Sequence, residues 1–381
     1  MTSTPIAGVP RSPEDFPQMW QKPAFGDLME CLLSLRVEPP TWNPKKKKGR
    51  RASSLSEPRP KEGLQVAATT AAFLRHEIST YLSSVISNPL AWLEDDDQKD
   101  LVWTEAARRL SERCGRAAMG EITRRWPFES KDYPVFELTI REPPLTGDSL
   151  GLKTWGSSYA LARMLHQFAA GPLSHLLAPP APNTAALGPT SGLVPVLELG
   201  SGTGLLGLAA AAIWQVPVAL SDLPEIVPNL AHNVDQNRAV VEMLGGDLSV
   251  GALTWGGSGE DQVDPGLFGE KGQFKIILVA DPLYDDDHPG LLASAIDDHL
   301  ARDADARVLV MVPRRDATTI GLISSFRSAM SSVARHSSLL CIDEGAVASQ
   351  DDWGDGEDVA EEVECWWGIF RRSQLAPAPG V

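Results

Sequence analysis

Cysteine is scarce in this chain. Only Cys31, Cys114, Cys341 and Cys365 occur in 381 residues, without C-x-x-C spacing, so neither a disulfide framework nor a thiolate metal site is indicated. Scattered thiols of this kind fit a reducing, intracellular compartment. The seven histidines show no H-E-x-x-H or paired-ligand spacing, and no metal is expected. Long apolar runs are also missing. The most apolar stretch, Leu205 to Leu220, is interrupted by Gln215 and Pro217 and is too short to span a bilayer. Met1 to Asp15 lacks the apolar run of a secretion leader. A cytoplasmic protein without membrane attachment, and a monomer, is the expectation. Basic charge is in deficit too: 34 Lys and Arg against 50 Asp and Glu give a net charge of −16. That argues against general nucleic-acid affinity and permits attraction to a lysine-rich protein partner.

What is present is ordinary for a globular protein, with 43% hydrophobic and 22% charged residues. Residues 1–146 read as a largely helical N-terminal region. It carries a loop near residues 43–62 built on Pro44-Lys-Lys-Lys-Lys-Gly-Arg-Arg51; such a run is a solvated, flexible loop or a nuclear-import signal. Helical periodicity covers 64–93 and 101–125, the latter with Val102, Ala106, Leu110 and Cys114 near period four, and Val135 to Ile140 alternates as a strand.

From residue 147 to about 375 strands and helices alternate. Strands are expected at 196–199, 217–221, 249–255, 274–280 and 307–312, then two last strands at 338–342 and 365–370 as an edge hairpin. Helices fall between them. This pattern predicts an α/β fold, a doubly wound, mostly parallel seven-stranded sheet of Rossmann-like type.

The chain is organised around Val196-Leu-Glu-Leu-Gly-Ser-Gly-Thr-Gly-Leu-Leu-Gly207, a strand running through a glycine turn into an apolar helix. Such a turn holds an adenosine-type cofactor at the carboxyl edge of a parallel sheet. Gly202-x-Gly204-x-x-Gly207 also satisfies the dinucleotide fingerprint, a weak match alone. Glu198 places a carboxylate at the mouth of the loop, poorly suited to a pyrophosphate and well suited to an amine. Asp222, after the second strand, sits where an acid binds ribose hydroxyls; Asp222-Leu-Pro-Glu225 also reads as a capping box, and Pro228 argues for a later helix start or a kinked helix. At the end of the fourth strand of this unit, Asp281-Pro-Leu-Tyr284 faces the same edge. There Asp281 can accept from a target amine and Tyr284 can wall the site.

Glu198-x-Gly-x-Gly-x-Gly204 with Asp222 resembles motif I of the class I S-adenosylmethionine-dependent methyltransferases. Together with Thr154-Trp-Gly, Leu253-Thr-Trp-Gly256 and Asp281-Pro-Leu-Tyr284, it looks like family 16 of the seven-β-strand methyltransferases, which act on protein lysines. Trp92 to Asp95, Leu110 to Gly115 and Asp222 to Ile226 are similar to the fungal elongation-factor lysine methyltransferases. The resemblance implies S-adenosyl-L-methionine as cofactor and a translation elongation factor as protein substrate. It further implies that Trp155 and Trp255 line the cofactor pocket, that Gly200, Ser201 and Gly202 contact the methionine part, and that Gly204 completes the loop. Asp222 would take the ribose, Ala280 would lie close by, and Asp281 and Tyr284 would serve the chemistry. Pro282-Leu283 suits amide and adenine-N6 methyltransferases as well, so the accepting nitrogen stays open at this point. The competing classes are a nucleic-acid-base or small-molecule methyltransferase, a nicotinamide oxidoreductase, and a non-catalytic interaction module. A final expectation is that the acids between Asp343 and Glu364 form a loop that steers a basic substrate.

Overall fold

The computed structural model describes residues 16–36, 76–111, 121–144, 150–177, 195–256, 262–332, 338–350 and 362–373. The basic run at 45–51 and the proline-rich stretch at 178–194 lie outside the described residues. The chain divides into two compact units, one comprising Met1–Ile122 with Pro144–Thr146 and Gly354–Val359, the other the remainder.

The described part of the first unit carries α1 (Phe25–Ser34), α2 (residues 76–87) and α3 (Asp96–Ser111). Leu28 and Leu32 of α1, Leu82 and Val85 of α2, and Val102 and Ala106 of α3 close one core, the three- and four-residue spacings setting each pair on one helix face. Two half-buried indoles have their N–H groups satisfied: Trp92 donates to the Pro23 carbonyl at 2.9 Å and Trp103 to that of Asn88 at 3.0 Å.

The second unit opens with a correction. A helix was expected to run on to residue 125. Instead β1 (Ile122–Phe128) and β2 (Phe136–Glu142) pair as a two-stranded sheet, and from Thr123 to Pro143 the chain belongs with the large sheet. The reason is a set of side-chain amides on α7 (Val227–Met243). The Asn237 amide accepts from Thr139 N–H and donates to its carbonyl, both at 2.8 Å. Asn233 treats Arg141 the same way, at 2.8 and 3.0 Å, and also donates to the Thr203 carbonyl at 3.0 Å. Asn237→Ala leaves the Thr139 N–H and carbonyl without these partners, so a loss of about 2–3 kcal/mol is expected. Chemical denaturation checks this; an unchanged midpoint would show the amides to be dispensable.

The main sheet has the order β5-β4-β3-β6-β7-β9-β8. Its strands are β3 (Val196–Leu199), β4 (Pro217–Asp222), β5 (Asp247–Ala252), β6 (Ile276–Ala280), β7 (Arg307–Pro313), β8 (Leu339–Gln350) and β9 (Glu362–Arg372). The first five in that order are parallel, and β9 and β8 are antiparallel. This is the doubly wound, mostly parallel seven-stranded sheet expected of the class I methyltransferase type. β3 and β6 are buried on both faces, which is why they read as unbroken apolar runs. Leu197, Leu199, Ile277, Val279, Val308 and Val310 pack with Leu292 and Ile296 of α9 (His288–His299) and with Leu322 and Phe326 of α10 (Ala317–Ser332). The alternate residues turn to the opposite face, where α6 (Leu205–Trp214) lies, itself buried almost throughout.

The edge hairpin is longer than expected, and its first strand takes up part of the acidic stretch. Gly345 stands opposite Trp367, whose ring occupies the place of a Cβ. Glu344 is held by Arg327 at 2.7 Å and by the Trp366 indole N–H at 2.8 Å, and Glu364 by Arg314 at 2.5 Å. Glu344 and Glu364 of the hairpin are thus paired; the acids of the expected steering loop between 351 and 361 lie outside the described residues.

Candidate functional site

The site grows from the end of β3. Gly200, Gly202 and Gly204 all have positive φ, at 65°, 57° and 89°, values that glycine adopts without the strain an L side chain would meet. The loop is stitched to β4: Ser201 N–H donates to the Ser221 carbonyl at 2.9 Å and the Ser201 hydroxyl accepts from Ser221 N–H at 3.1 Å. The Asp222 carboxylate then bridges the two strand ends, accepting from Gly202 N–H at 2.6 Å and Leu223 N–H at 2.7 Å. Burial pushes its acid up to about 6, with both N–H bonds pulling the other way. The capping-box alternative for Asp222 does not hold: α7 begins at Val227, with Ile226 as its N-cap and Pro228 in its first turn, the later start that Pro228 suggested.

Glu198 is not at the mouth of the loop. On β3 Leu197 and Leu199 fill the α9–α10 side, so Glu198 faces α6 and accepts from Gly207 N–H at 3.0 Å. A Cβ at Gly207 would stand 2.5 Å from that oxygen, which explains the glycine. Burial raises the Glu198 acid from 4.5 to about 8. Below 4.5 the acid is protonated both in the unfolded chain and in the fold. Between 4.5 and about 8 the fold keeps a proton that the unfolded chain releases, so stability falls as pH rises through that window. Glu198→Gln is expected to flatten this fall in Tm; an equally steep decline in the variant would assign it to other groups.

Opposite, at the end of β6, Ala280 leads into Asp281, a non-glycine residue at φ 53°. Its N–H is held by the Met311 carbonyl at 2.9 Å. Its buried carboxylate receives a two-pronged contact from Arg315, Nη1 to Oδ1 at 3.0 Å and Nη2 to Oδ2 at 2.5 Å. Tyr284, 40% exposed, donates its backbone N–H to His288 Nδ1 at 3.0 Å. Aromatic contacts join this turn to the glycine loop. The Trp155 ring lies 6.3 Å from Tyr284, Tyr284 lies 5.9 Å from His288, and His288 lies 6.4 Å from Trp255. The Trp255 ring covers the loop so closely that a Cβ at Gly200 would stand 3.1 Å from it.

Trp155 precedes α4 (Gly156–Ala170) and is set by its neighbour. The Thr154 hydroxyl pairs with that of Thr203 at 2.8 Å, and its N–H donates to Glu142 of β2 at 3.3 Å. Lys153 Nζ lies 4.5 Å from the Trp155 ring centre and the Arg315 guanidinium 5.0 Å from it. The structure therefore gathers Gly200, Ser201, Gly202, Gly204, Asp222, Trp155, Trp255, Ala280, Asp281 and Tyr284 along one end of the sheet, with Glu198 beneath. Sequence reasoning missed Lys153, His288 and Arg315. A signal existed for Arg315, since Arg314-Arg315 directly follows β7, the neighbour of β6.

The lysine methyltransferase family matches residues 134–328. Protein-lysine N-methyltransferase EFM2 of Saccharomyces cerevisiae is 31% identical over 284 residues, covering 72% of this chain and 62% of that protein. Protein-lysine N-methyltransferase rrg1 of Schizosaccharomyces pombe is 29% identical over 230 residues, covering 59% of this chain and 66% of that protein. The match thus spans less than two thirds of either relative's length. Among solved structures, a putative sarcosine dimethylglycine methyltransferase from Galdieria sulphuraria is 11% identical, covering 56% of this chain and 86% of that one, with a TM-score of 0.37.

S-adenosyl-L-methionine is the cofactor, and the residues present fit it. The close approach of Trp255 to Gly200 and of the Gly151 carbonyl to Gly202 makes a cradle that a Cβ would fill. Asp222, its carboxylate accepting from Gly202 N–H at 2.6 Å, stands at the rim of that cradle, where a ligand's hydroxyl groups find an acceptor. The family match covers about half the chain and takes in both the glycine loop and the Asp281 turn; this chain belongs to the lysine methyltransferase family.

Proposed function

We propose that this protein transfers a methyl group from S-adenosyl-L-methionine to a lysine amine on a protein, and that its substrate is a translation elongation factor in the cytoplasm. The observation that carries the reading is the Asp281–Tyr284 turn on β6 beside the glycine loop on β3, linked to it through His288 and Trp255. When bound, the cofactor supplies an electrophilic methyl on a positively charged sulfur. Gly200, Ser201, Gly202 and Gly204 would shape its seat, Asp222 would take the ribose hydroxyls, and Glu198 would hold the loop from below. Trp155 and Trp255 would exclude water from the reacting groups.

The amine must arrive neutral. Free lysine ionises near pH 10.4, so deprotonating it at pH 7 costs about 4–5 kcal/mol. A closed apolar site lowers that figure, whereas an unpaired carboxylate beside the amine raises it. Asp281 therefore orients the amine as a hydrogen-bond acceptor and is not cast as a strong base; Tyr284 offers its ring face to the nitrogen. A protein substrate rich in lysine also suits the net charge of −16. The relatives' printed names, protein-lysine N-methyltransferases, support the same class.

The test uses tritiated S-adenosylmethionine and an extract of cells lacking this protein. One labelled band near the mass of an elongation factor, with label recovered as methyl-lysine, is the expected result. Label in nucleic acid, or none despite cofactor binding by calorimetry, would overturn the reading.

A further inference from the structure

Asp281 creates a difficulty for the chemistry just proposed. A carboxylate near an amine favours the ammonium form, which has no lone pair to give. Each unit by which it raises the amine's ionisation removes nine tenths of the reactive fraction. Orientation by Asp281 would thus work against the transfer it serves.

Arg315 bears on this directly. It follows β7, and the two Nη atoms of its guanidinium meet both oxygens of Asp281 end on, at 3.0 and 2.5 Å. The Asp281 side chain is 1% exposed and that of Arg315 is 23% exposed, so the pair is largely withdrawn from water. The guanidinium also lies over the Trp155 ring at 5.0 Å, which fixes its plane against the site wall. Arginine stays charged throughout the working pH range, and a fork of this kind leaves each carboxylate oxygen with lone-pair capacity.

We propose that Arg315 is a positioning residue that cancels the charge of Asp281 while leaving it able to accept from the substrate amine, so that the site orients a lysine without stabilising its ammonium form. This rests on the lysine-methyltransferase reading above. The fork also explains how Asp281 is held at positive φ: the carboxylate is pinned on one side by Arg315 and the backbone on the other by Met311.

Other charged and titratable groups surround the turn. Tyr284 and the Asp285–His288 pair, at 3.4 Å, lie on the turn itself. Lys153 comes from the segment before α4, over the Trp155 ring. Beyond β7, Arg314 is paired with Glu364 of β9, and Asp316 accepts from Thr319 N–H. Glu198 and Asp222 face the loop from β3 and β4. None of these changes in the variants below, so all contribute alike to each profile.

The experiment is the pH dependence of single-turnover methyl transfer from tritiated S-adenosylmethionine to the extract band labelled by the wild-type protein. Enzyme is in excess, so that the profile belongs to the bound complex. Arg315→Met is expected to move the rising limb up by about one pH unit and to cut the rate near pH 7 about tenfold. Adding Asp281→Asn to Arg315→Met removes the second charge and returns the limb to the wild-type position at a lower rate. Arg315→Lys keeps the charge without the fork, so the rate falls and the limb stays. Should Arg315→Met fail to fold, a moved limb in Arg315→Lys overturns the idea equally well. A purely structural role would lower all three rates with no movement of the limb, and that result overturns the proposal. Absence of any labelled band with the wild-type protein is a different outcome, which removes the underlying reading.

Discussion

Asp281→Ala is expected to lower the rate of methyl transfer by about 10²–10³-fold, the usual loss when one preorganised group at the reacting centre is removed. The magnitude follows from what the residue does. It ends β6 beside the glycine loop, buried, with its backbone held by Met311 and its oxygens by Arg315. In the proposed role the amine would lose its acceptor without the carboxylate, and Arg315 loses its counter-charge in a largely dry setting. Alanine is also a poor residue at φ 53°. Asp281→Asn is therefore the cleaner companion, since asparagine tolerates that conformation and keeps one acceptor oxygen. The measurement is single-turnover transfer alongside cofactor affinity by calorimetry and Tm. Affinity changing by less than about threefold would place the loss in the chemical step rather than in binding. An Asp281→Ala protein that methylates at the wild-type rate removes Asp281 from the site.

Asp222→Ala is expected to weaken S-adenosylmethionine binding about 100-fold, or about 2.7 kcal/mol. Two effects add. The Gly202 and Leu223 N–H groups, both in half-buried bonds, lose their acceptor, so the glycine loop is held less firmly in the shape that seats the cofactor. In addition, the proposed contact with the ribose disappears. Because Gly202 N–H is one of the two donors, the loop that seats the cofactor slackens even before any ligand arrives. Calorimetric titration with S-adenosylmethionine and with its demethylated product separates the cases. Equal weakening of both places the loss on the shared nucleoside part, while unchanged affinities would leave Asp222 as a strand-end clamp only.

Much of this architecture was legible in the amino-acid sequence, for a physical reason. β3 and β6 are buried on both faces, so every residue but the glutamate of β3 had to be apolar. The glycine loop was legible because three of its backbone positions exclude side chains. β1 was not legible. Its inward positions include Arg124, buried beside Glu142 at 3.8 Å, and a charged residue facing inward erases the apolar alternation that marks a strand. The length of β8 was hidden similarly, since Glu344 has the look of a loop acid until Arg327 and Trp366 are seen to hold it. In the site, the residues found from sequence were those inside motifs. Arg315 reaches the same place through the order of the strands, while His288 and Lys153 stand next to the motifs in sequence and show their part only once the rings of Trp155, Tyr284 and Trp255 are seen packed.

The asparagines of α7 have a consequence for how this protein meets other copies of itself. An outer strand offers a row of backbone groups on which a neighbouring chain can add a strand of its own, the first step toward aggregates. Along β2 those groups at Thr139 and Arg141 are already occupied by the amides of Asn237 and Asn233. The small sheet thus ends on side chains and gives an intruding strand nothing to pair with. One outer strand of the large sheet is blunted by other means: β8 breaks register between Cys341 and Asp343 and then carries two successive acids. At β2 and at β8 the border is thus guarded by a local feature of the chain.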